Sequence, residues 1–134
     1  PIMMRLKSDL FELIESALDK KLVDEEIDFT EESALCVVLA SEGYPGSHQK
    51  GRLIEGLDKV TNAKVFHAAT TLENNKILTS GGRVLGVTAL GPSISEAQKK
   101  AYLAVNEISF RNAHYRRDIG HRAVAREVTQ VIHD

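Results

Sequence analysis

The segment Ser80-Gly81-Gly82-Arg83 has the residue types of an anion-binding site. Glycine carries no Cβ, so a ligand can come close to the backbone N–H groups of Gly81 and Gly82. Arg83 adds a permanent cation whose planar fork of donors fits a phosphate or a carboxylate. Free N–H groups beside a fixed arginine indicate anion binding. The alternative is a plain glycine turn that enters a core strand and leaves Arg83 at the surface.

Two further residues could take part in chemistry, although the sequence around them is less informative. Lys50 follows a loop and could hold an anion as a point charge, but an isolated surface lysine is the alternative. His67 stands in a strand-like segment without a visible partner for acid–base catalysis. A hydrogen-bonded, partly buried histidine is the other explanation for His67. We assign no catalytic residue.

The chain lacks the residue spacing of a metal site. The histidines are scattered, and no cysteine or pair of carboxylates lies at a matching interval. The one cysteine, Cys36, lies in an apolar run, which predicts a buried structural thiol. A Walker-type loop and a nucleophile elbow are absent as well. The histidines are His48, His67, His114, His121 and His133.

Size and composition are those of one soluble domain. The chain has 134 residues, 43% of them hydrophobic and 27% charged, with a net charge of −2. No apolar run approaches the length of a membrane span, and no signal peptide is visible. Basic residues are spread along the chain, and there is no tryptophan to stack on bases. We therefore expect a cytoplasmic protein that binds neither nucleic acid nor membrane.

The N-terminal part of the chain is predicted to supply one helix and one strand. The chain begins Pro1-Ile2-Met3, without an initiator methionine and inside an apolar run, which is typical of a piece of a longer protein. Apolar residues at helical spacing predict an amphipathic helix over residues 8–21, with Ser8 as its N-cap. An acidic connector follows. The apolar run 34–40 then predicts a strand buried on both faces.

The middle of the chain is predicted to supply the strands around Arg83. Residues 51–57 are expected to form a short helix or a turn. Residues 64–71 and 77–79 flank a turn-rich stretch, which predicts a β-hairpin. The apolar run that follows Arg83 predicts a buried strand with the arginine at its start.

The C-terminal part is predicted to add two helices. Ser93 and Glu96 have the spacing of a capping box, which predicts a helix that runs to about Ile108. Residues 110–117 are predicted to be extended, and a last helix covers residues 122–131. The order helix, strand, hairpin, strand, helix, strand, helix predicts an α+β fold with a mostly antiparallel sheet flanked by helices.

Several motifs, taken in order, resemble the carboxy-terminal part of the phosphoribosylamine–glycine ligase family (glycinamide ribonucleotide synthetases), which belongs to the ATP-grasp enzymes. Each motif is weak alone, but the ordered set is specific and spans essentially the whole chain. The motifs are Pro1-Ile2-Met3-Met4-Arg5-Leu6-Lys7-Ser8-Asp9-Leu10, Ser41-Glu42-Gly43-Tyr44-Pro45-Gly46, Lys50-Gly51, Val65-Phe66-His67-Ala68-Ala69-Thr70, Ser80-Gly81-Gly82-Arg83-Val84-Leu85, Ala97-Gln98-Lys99-Lys100-Ala101-Tyr102 and Tyr115-Arg116-Arg117-Asp118-Ile119-Gly120-His121-Arg122-Ala123.

The resemblance implies a ligase of de novo purine biosynthesis that joins glycine to 5-phosphoribosylamine through a glycyl phosphate, with ATP and Mg²⁺ or Mn²⁺ as cofactors. It divides the chain into residues 1–28, the last helix of the ATP-grasp domain with the acidic connector, and residues 29–134, a C-terminal α+β lobe of the hybrid-motif type. The ligands of ATP and metal would lie mostly outside this chain, in the remaining lobes of the same polypeptide. The chain alone is then expected to be inactive.

The same resemblance implies a binding site for the ribose 5-phosphate of the substrate. Arg83 is the natural contact, and the glycine pair before it allows close approach. The loop 43–45, Lys50 and His67 are expected to line the same cleft. The substrate-binding residues implied in this way are Arg83, Gly82, Gly81, Lys50, Gly43, Tyr44, Pro45 and His67.

Two residues depart from the family pattern near this expected cleft. The family usually has glycine where Glu42 and Ala69 stand in this chain. The carboxylate of Glu42 would oppose a phosphate placed near its loop. Ala69 restricts φ, but this costs little if the residue lies in a regular strand.

Two functions of other classes are alternatives to the ligase. One is a separate binding module for an anionic metabolite or peptide, and an ATP-grasp clamp upstream would exclude it. The other is an interaction domain that supports a partner lobe. Ligand-induced NMR shifts at Arg83 would argue against that passive role.

Overall fold

The computed structural model describes residues 1–131 of the chain. This part contains four α-helices and five strands. The helices are α1 (Ile2–Arg5), α2 (Leu10–Leu18), α3 (Ile94–Glu107) and α4 (His121–Val131). The strands are β1 (Ser33–Ala40), β2 (Lys64–His67), β3 (Thr70–Glu73), β4 (Lys76–Thr79) and β5 (Arg83–Gly91). All strand pairs are antiparallel, which confirms the predicted α+β class. No helix in this range is long and apolar enough to cross a membrane.

The core lies between α3 and one face of a three-stranded sheet. Strand β5 is central, with β1 on one side and β2 on the other. The helix presents alanines to the sheet, so the two layers can approach closely. Burial of each large apolar side chain stabilises the fold by roughly 1.5–3 kcal/mol. The buried residues of this layer pair are Leu35, Val37, Leu39, Leu85, Val87, Ala89, Ala97, Ala101, Ala104 and Val105.

The opposite face of this sheet is only partly covered: Thr88 on this face is 1% exposed, but the part around Val38 and Phe66 is open. Val38 keeps 43% of its surface exposed and Phe66 keeps 41%, and Cys36 is only partly buried. The prediction that residues 34–40 are buried on both faces was therefore wrong, as was the prediction of a buried thiol. Alternate side chains of a strand point to opposite faces, and α3 covers only one of them.

The predicted hairpin is formed by β3 and β4, but the strand predicted over residues 64–71 is broken in two. The N–H groups of Ala68 and Ala69 donate to the carbonyls of Val84 and Arg83, at 3.0 and 3.1 Å. These bonds keep the first half of the segment on β5, whereas the second half turns away as β3 and pairs with β4.

The segment 51–57 forms neither a helix nor a simple turn. The N–H of Ile54 donates to the carbonyl of Ile77 at 2.9 Å, and the N–H of Glu55 donates to that of Ser109 at 2.9 Å. The segment therefore runs extended between the hairpin and the end of α3. A short 3-10 helix, Leu57–Lys59, follows it.

The extended segment predicted over residues 110–117 does not form a strand. A single bridge joins His114 to the end of β1. The segment is held instead by side-chain bonds, because the Tyr102 hydroxyl donates to the Arg116 carbonyl at 2.8 Å and accepts from the Ile119 N–H at 3.0 Å. The last helix, α4, begins close to the predicted position.

The start of α3 is capped twice. The Ser93 hydroxyl accepts from the Glu96 N–H at 3.1 Å, which confirms the predicted N-cap. The carboxylate of Glu127 on α4 also accepts from the N–H groups of Ile94 and Ser95, at 2.6 and 3.1 Å. A carboxylate at this position satisfies donors that have no partner within the helix and complements its dipole. Glu127 thereby fastens α4 to α3.

The N-terminal helix is shorter than predicted, and its cap is a different residue. Helix α2 begins after Asp9, whose carboxylate accepts from the N–H groups of Phe11 and Glu12. The Ser8 hydroxyl accepts instead from the N–H of Asp28, so the prediction of Ser8 as the cap was wrong. No residue of α2 is buried, and its apolar side chains face solvent.

We predict that Gly56→Ala destabilises the protein more than Gly51→Ala does. Both glycines have positive φ, +81° and +75°. A Cβ at Gly56 would overlap the carbonyl oxygen of Glu107, whereas nothing lies within 4 Å of one at Gly51. Gly51→Ala should cost about 1 kcal/mol for the left-handed backbone, and Gly56→Ala a further ~1–3 kcal/mol for the clash. Urea unfolding followed by circular dichroism measures both, and equal losses would contradict the packing described.

We also predict that Glu127→Ala lowers the free energy of unfolding by about 1–2 kcal/mol, since it removes a partly exposed charged cap. Arg126→Ala, an exposed substitution on the same helix, controls for helix propensity and should change stability by less than about 0.5 kcal/mol. Urea unfolding of the two variants gives the comparison. A Glu127→Ala loss no larger than that of the control would show that the cap contributes nothing.

Candidate functional site

Ser41 fastens the loop after β1 to the turn that precedes Arg83. Its hydroxyl donates to the carbonyl of Gly81 at 2.8 Å, and its N–H donates to the carbonyl of Gly82 at 2.8 Å. Ser41 is buried, so water competes little for these bonds. The carbonyls of Gly81 and Gly82 thus both accept a hydrogen bond from Ser41.

The glycine pair is required for packing. A Cβ at Gly82 would overlap the ring of Tyr44, and a Cβ at Gly81 would lie 2.7 Å from that of Ala69. The Tyr44–Pro45 peptide bond is cis. Within residues 1–131 the N–H groups of Gly81 and Gly82 have no acceptor. The Cα atoms of Gly81 and Gly82 are therefore tightly packed, while the N–H groups of both residues are free to donate.

A β-bulge decides where Arg83 points. Leu39 pairs with Leu85, but the next residue of β1, Ala40, pairs with Arg83, so Val84 is an extra residue on β5. In a regular strand Arg83 would share the buried face of Leu85, two residues away. With the bulge, Val84 and Leu85 are both fully buried while Arg83 is exposed.

Arg83 lies at the rim of a shallow cavity on the open face of the sheet. The cavity has a volume of about 560 Å³, and apolar groups form most of its lining. Arg83 is its only charged residue, and its guanidinium has no hydrogen-bond or ion-pair partner within the described part of the chain. The arginine is at the surface, as the alternative explanation held, but it stands over an apolar floor. The lining residues are Val38, Phe66, Ala68, Ala69, Arg83, Leu85 and Gly86.

The other predicted site residues do not all join this cavity. Gly43 lines a second cavity, which shares no residue with the first. Lys50 is exposed beside Gly51, whose N–H donates to the carbonyl of Thr79 at 2.6 Å. Lys50 therefore lies near the end of β4, and that end directly precedes the turn with the glycine pair. Tyr44, as described, supports Gly82 from the side.

His67 is exposed and hydrogen-bonded. Its Nδ1 lies 3.0 Å from the hydroxyl of Thr70. The arrangement is that of the hydrogen-bonded alternative, with the difference that the side chain is not buried. His67 does not line the cavity of Arg83.

The two departures from the family pattern fall in different places. Glu42 lines the second cavity, where its carboxylate accepts from the side-chain amide of Asn112, so its charge is not at the cavity of Arg83. Ala69 does line the cavity of Arg83, and its N–H remains in the β5 pairing. The replacement by alanine is therefore accommodated without loss of that bond.

Sequence reasoning missed the apolar floor of the cavity. Val38, Phe66 and Gly86 are cross-strand neighbours on three strands, because Phe66 and Val38 both pair with Gly86. The alternation of each strand could have placed these residues on one face. Their pairing could not be deduced, since it depends on which strand lies next to β5.

Arg116 and Asp118, which precede α4, stabilise the turn at the start of that helix. The guanidinium of Arg116 donates to both carboxylate oxygens of Asp118, at 2.9 and 2.7 Å. This bond lowers the pKa of Asp118 below its usual value. The Tyr102 hydroxyl binds the same turn, so the polar groups of Tyr102, Arg116 and Asp118 are all engaged in bonds within the protein. Within residues 1–131 no group of three or more His, Cys, Asp or Glu side chains could hold a metal, and His133 lies outside the described residues.

Comparisons with known proteins agree on one family. Residues 34–122 match the family described as "Phosphoribosylglycinamide synthetase, C domain". The phosphoribosylamine–glycine ligase of Allochromatium vinosum is 53% identical over 129 residues, which is 95% of this chain and 30% of that protein. The corresponding ligase of Pseudomonas syringae pv. tomato is 48% identical over 129 residues, again 95% and 30%.

A solved structure agrees with these relatives. The crystal structure of phosphoribosylamine–glycine ligase from Thermotoga maritima is similar with a TM-score of 0.65 and 30% identity, over 80% of this chain and 27% of that one. The chain thus spans about 30% of the length of the curated relatives that it matches. The resemblance stated from the motifs is confirmed. The chain belongs to the phosphoribosylglycinamide synthetase C-domain family.

Proposed function

We propose that this chain is the C-terminal lobe of a phosphoribosylamine–glycine ligase of purine biosynthesis, and that the cavity of Arg83 binds the ribose 5-phosphate of phosphoribosylamine. The observation that carries the proposal is the unpaired guanidinium at the rim of an apolar cavity. A charged donor offsets the charge of a phosphate, and a guanidinium fork matches its oxygens. The free N–H groups of Gly81 and Gly82, next in sequence to Arg83, are further donors.

The shape of the cavity suits a sugar phosphate better than a free anion. Its volume of about 560 Å³ is in the usual range of small-molecule sites. Val38 and Phe66 offer apolar surface to the carbon skeleton of a ribose, while Arg83 stands at the edge. Tyr44 and Ser41 support the glycine turn from behind. Lys50, His67 and Pro45 remain predicted contacts of the same substrate.

We assign residues 1–28 to an ATP-grasp domain and residues 29–134 to the C-terminal lobe. The family match begins at residue 34, whereas the similarity to the Allochromatium vinosum ligase covers 95% of the chain, and this difference supports a boundary near the start of the family match. Phe11 and Leu18 are 67% and 78% exposed on α2. Such a face is suited to packing against the rest of that domain.

The chemical step is assigned to the remaining lobes of the polypeptide. The described residues offer no metal site, so they do not fit the divalent metal of an ATP-dependent ligase. We therefore place the ligands of ATP and of Mg²⁺ or Mn²⁺, together with the catalytic residues, outside this chain. The lobe would hold one end of the substrate in a cytoplasmic enzyme that also takes glycine and ATP.

We predict that Arg83→Ala, made in the ligase that contains this lobe, raises the KM for phosphoribosylamine about 10- to 100-fold. The reason is the loss of one charge-assisted contact, worth about 1.5–3 kcal/mol. The KM values for ATP and glycine should change less than about twofold, because Arg83 would touch neither. Steady-state kinetics with each substrate varied in turn gives the three constants.

Arg126→Ala is the matched control, since Arg126 is exposed on α4 and lies outside the cavity of Arg83. Its KM values should equal those of the parent enzyme. An Arg83→Ala enzyme with an unchanged KM for phosphoribosylamine would remove Arg83 from the site. Equal increases for all three substrates would indicate a general loss of structure instead.

A further inference from the structure

The second cavity has a concentration of cationic and amide donors that the ribose-phosphate proposal does not use. It has a volume of about 520 Å³ and is lined from three segments of the chain. Arg52 and Arg111 supply two guanidinium groups, against one carboxylate, that of Glu42. The remaining lining residues are Gly43, Ser47, His48, Gln49 and Asn112.

The single acid in this cavity is already bound. The carboxylate of Glu42 accepts a hydrogen bond from the side-chain amide of Asn112, which joins the loop after β1 to the turn after α3. The guanidinium of Arg111 has no partner within residues 1–131. Two arginines and one engaged glutamate leave the cavity with a net positive charge, so it should attract an anion.

Arg52 extends from a well-anchored base. The backbone N–H of Arg52 donates to the Thr79 hydroxyl at 3.1 Å, and the N–H of Thr79 donates to the carbonyl of Arg52 at 2.9 Å. The guanidinium of Arg52 also donates to the side-chain oxygen of Gln49, which leaves the amide N–H groups of Gln49 free to donate. Fixed donors lose less entropy when they bind a ligand.

We propose that this second cavity binds the phosphate group of a small molecule. The two guanidinium forks of Arg52 and Arg111, together with the Ser47 hydroxyl and the Gln49 amide, can donate more hydrogen bonds than the roughly four that a carboxylate accepts. A phosphate has three free oxygens and a larger charge. The site is separate from that of Arg83, because the two cavities share no residue. It stands whether or not Arg83 binds ribose 5-phosphate.

The test is a titration of the ¹⁵N-labelled 134-residue chain with inorganic phosphate at constant ionic strength, followed by NMR. We expect saturable shifts of the amides of residues 47–52 and 111–112. Arg111→Gln should weaken binding at these amides about tenfold, and a variant with both Arg52→Gln and Arg111→Gln should abolish it. Acetate at the same ionic strength should bind at least several-fold more weakly than phosphate.

Arg83→Gln serves as the control, since it removes a cation from the other cavity and should leave these shifts unchanged. Amide dispersion and circular dichroism confirm that each variant is folded. If the single variant Arg111→Gln is folded and binds phosphate as tightly as the parent chain, the proposal is overturned. It is overturned equally by linear, non-saturating shifts at residues 47–52, or by acetate binding as tightly as phosphate.

Discussion

The register shift between β1 and β5 is the constraint on which the site depends. The ladder of these strands is regular from Ser33 to Leu39, and one extra residue, Val84, then interrupts it. A one-residue change of register moves every following side chain to the other face of a sheet. Val84 and Leu85 can both be buried for this reason, while Arg83 emerges on the open face. A regular ladder would bury a guanidinium without a partner, at a cost of several kcal/mol.

The two faces of the sheet differ in function and in the side chains that they carry. One face packs against α3, and the other forms the floor of the cavity of Arg83. On the buried face, Leu39 and Val87 lie in one buried cluster with Ala101 of α3, which fixes the strand positions. On the open face, Gly86 has no side chain between its neighbours, and a Cβ there would lie 3.3 Å from the sulfur of Cys36. The shallow floor beside Phe66 thus exists because a glycine lies at the centre of the sheet. Because the face under α3 is tightly packed, the side chains on the open face hold fixed positions.

Patterns among nearby residues predicted most helices and strands. The features that they could not predict depend on contacts between residues far apart in the sequence. The capping box at Ser93 and the apolar run of β5 are readable because their partners are close in sequence. The break of the segment 64–71 is not, since it depends on bonds to Arg83 and Val84. Glu127 caps a helix that begins 33 residues earlier, which no local pattern encodes. The apolar floor of the cavity could not be predicted for the same reason, because it depends on the pairing of distant strands.

The glycine pair shows why the space left by a missing Cβ does not by itself indicate a ligand. Glycine removes a Cβ, and the sequence alone indicates only that something comes close. At Gly82 the ring of Tyr44 comes close, and at Gly81 the methyl group of Ala69 does. The space on the carbon side is therefore filled by the protein, and only the N–H groups remain for a ligand. An anion at Arg83 would thus contact a turn that Tyr44 and Ser41 already hold in place, which lowers the entropy lost on binding.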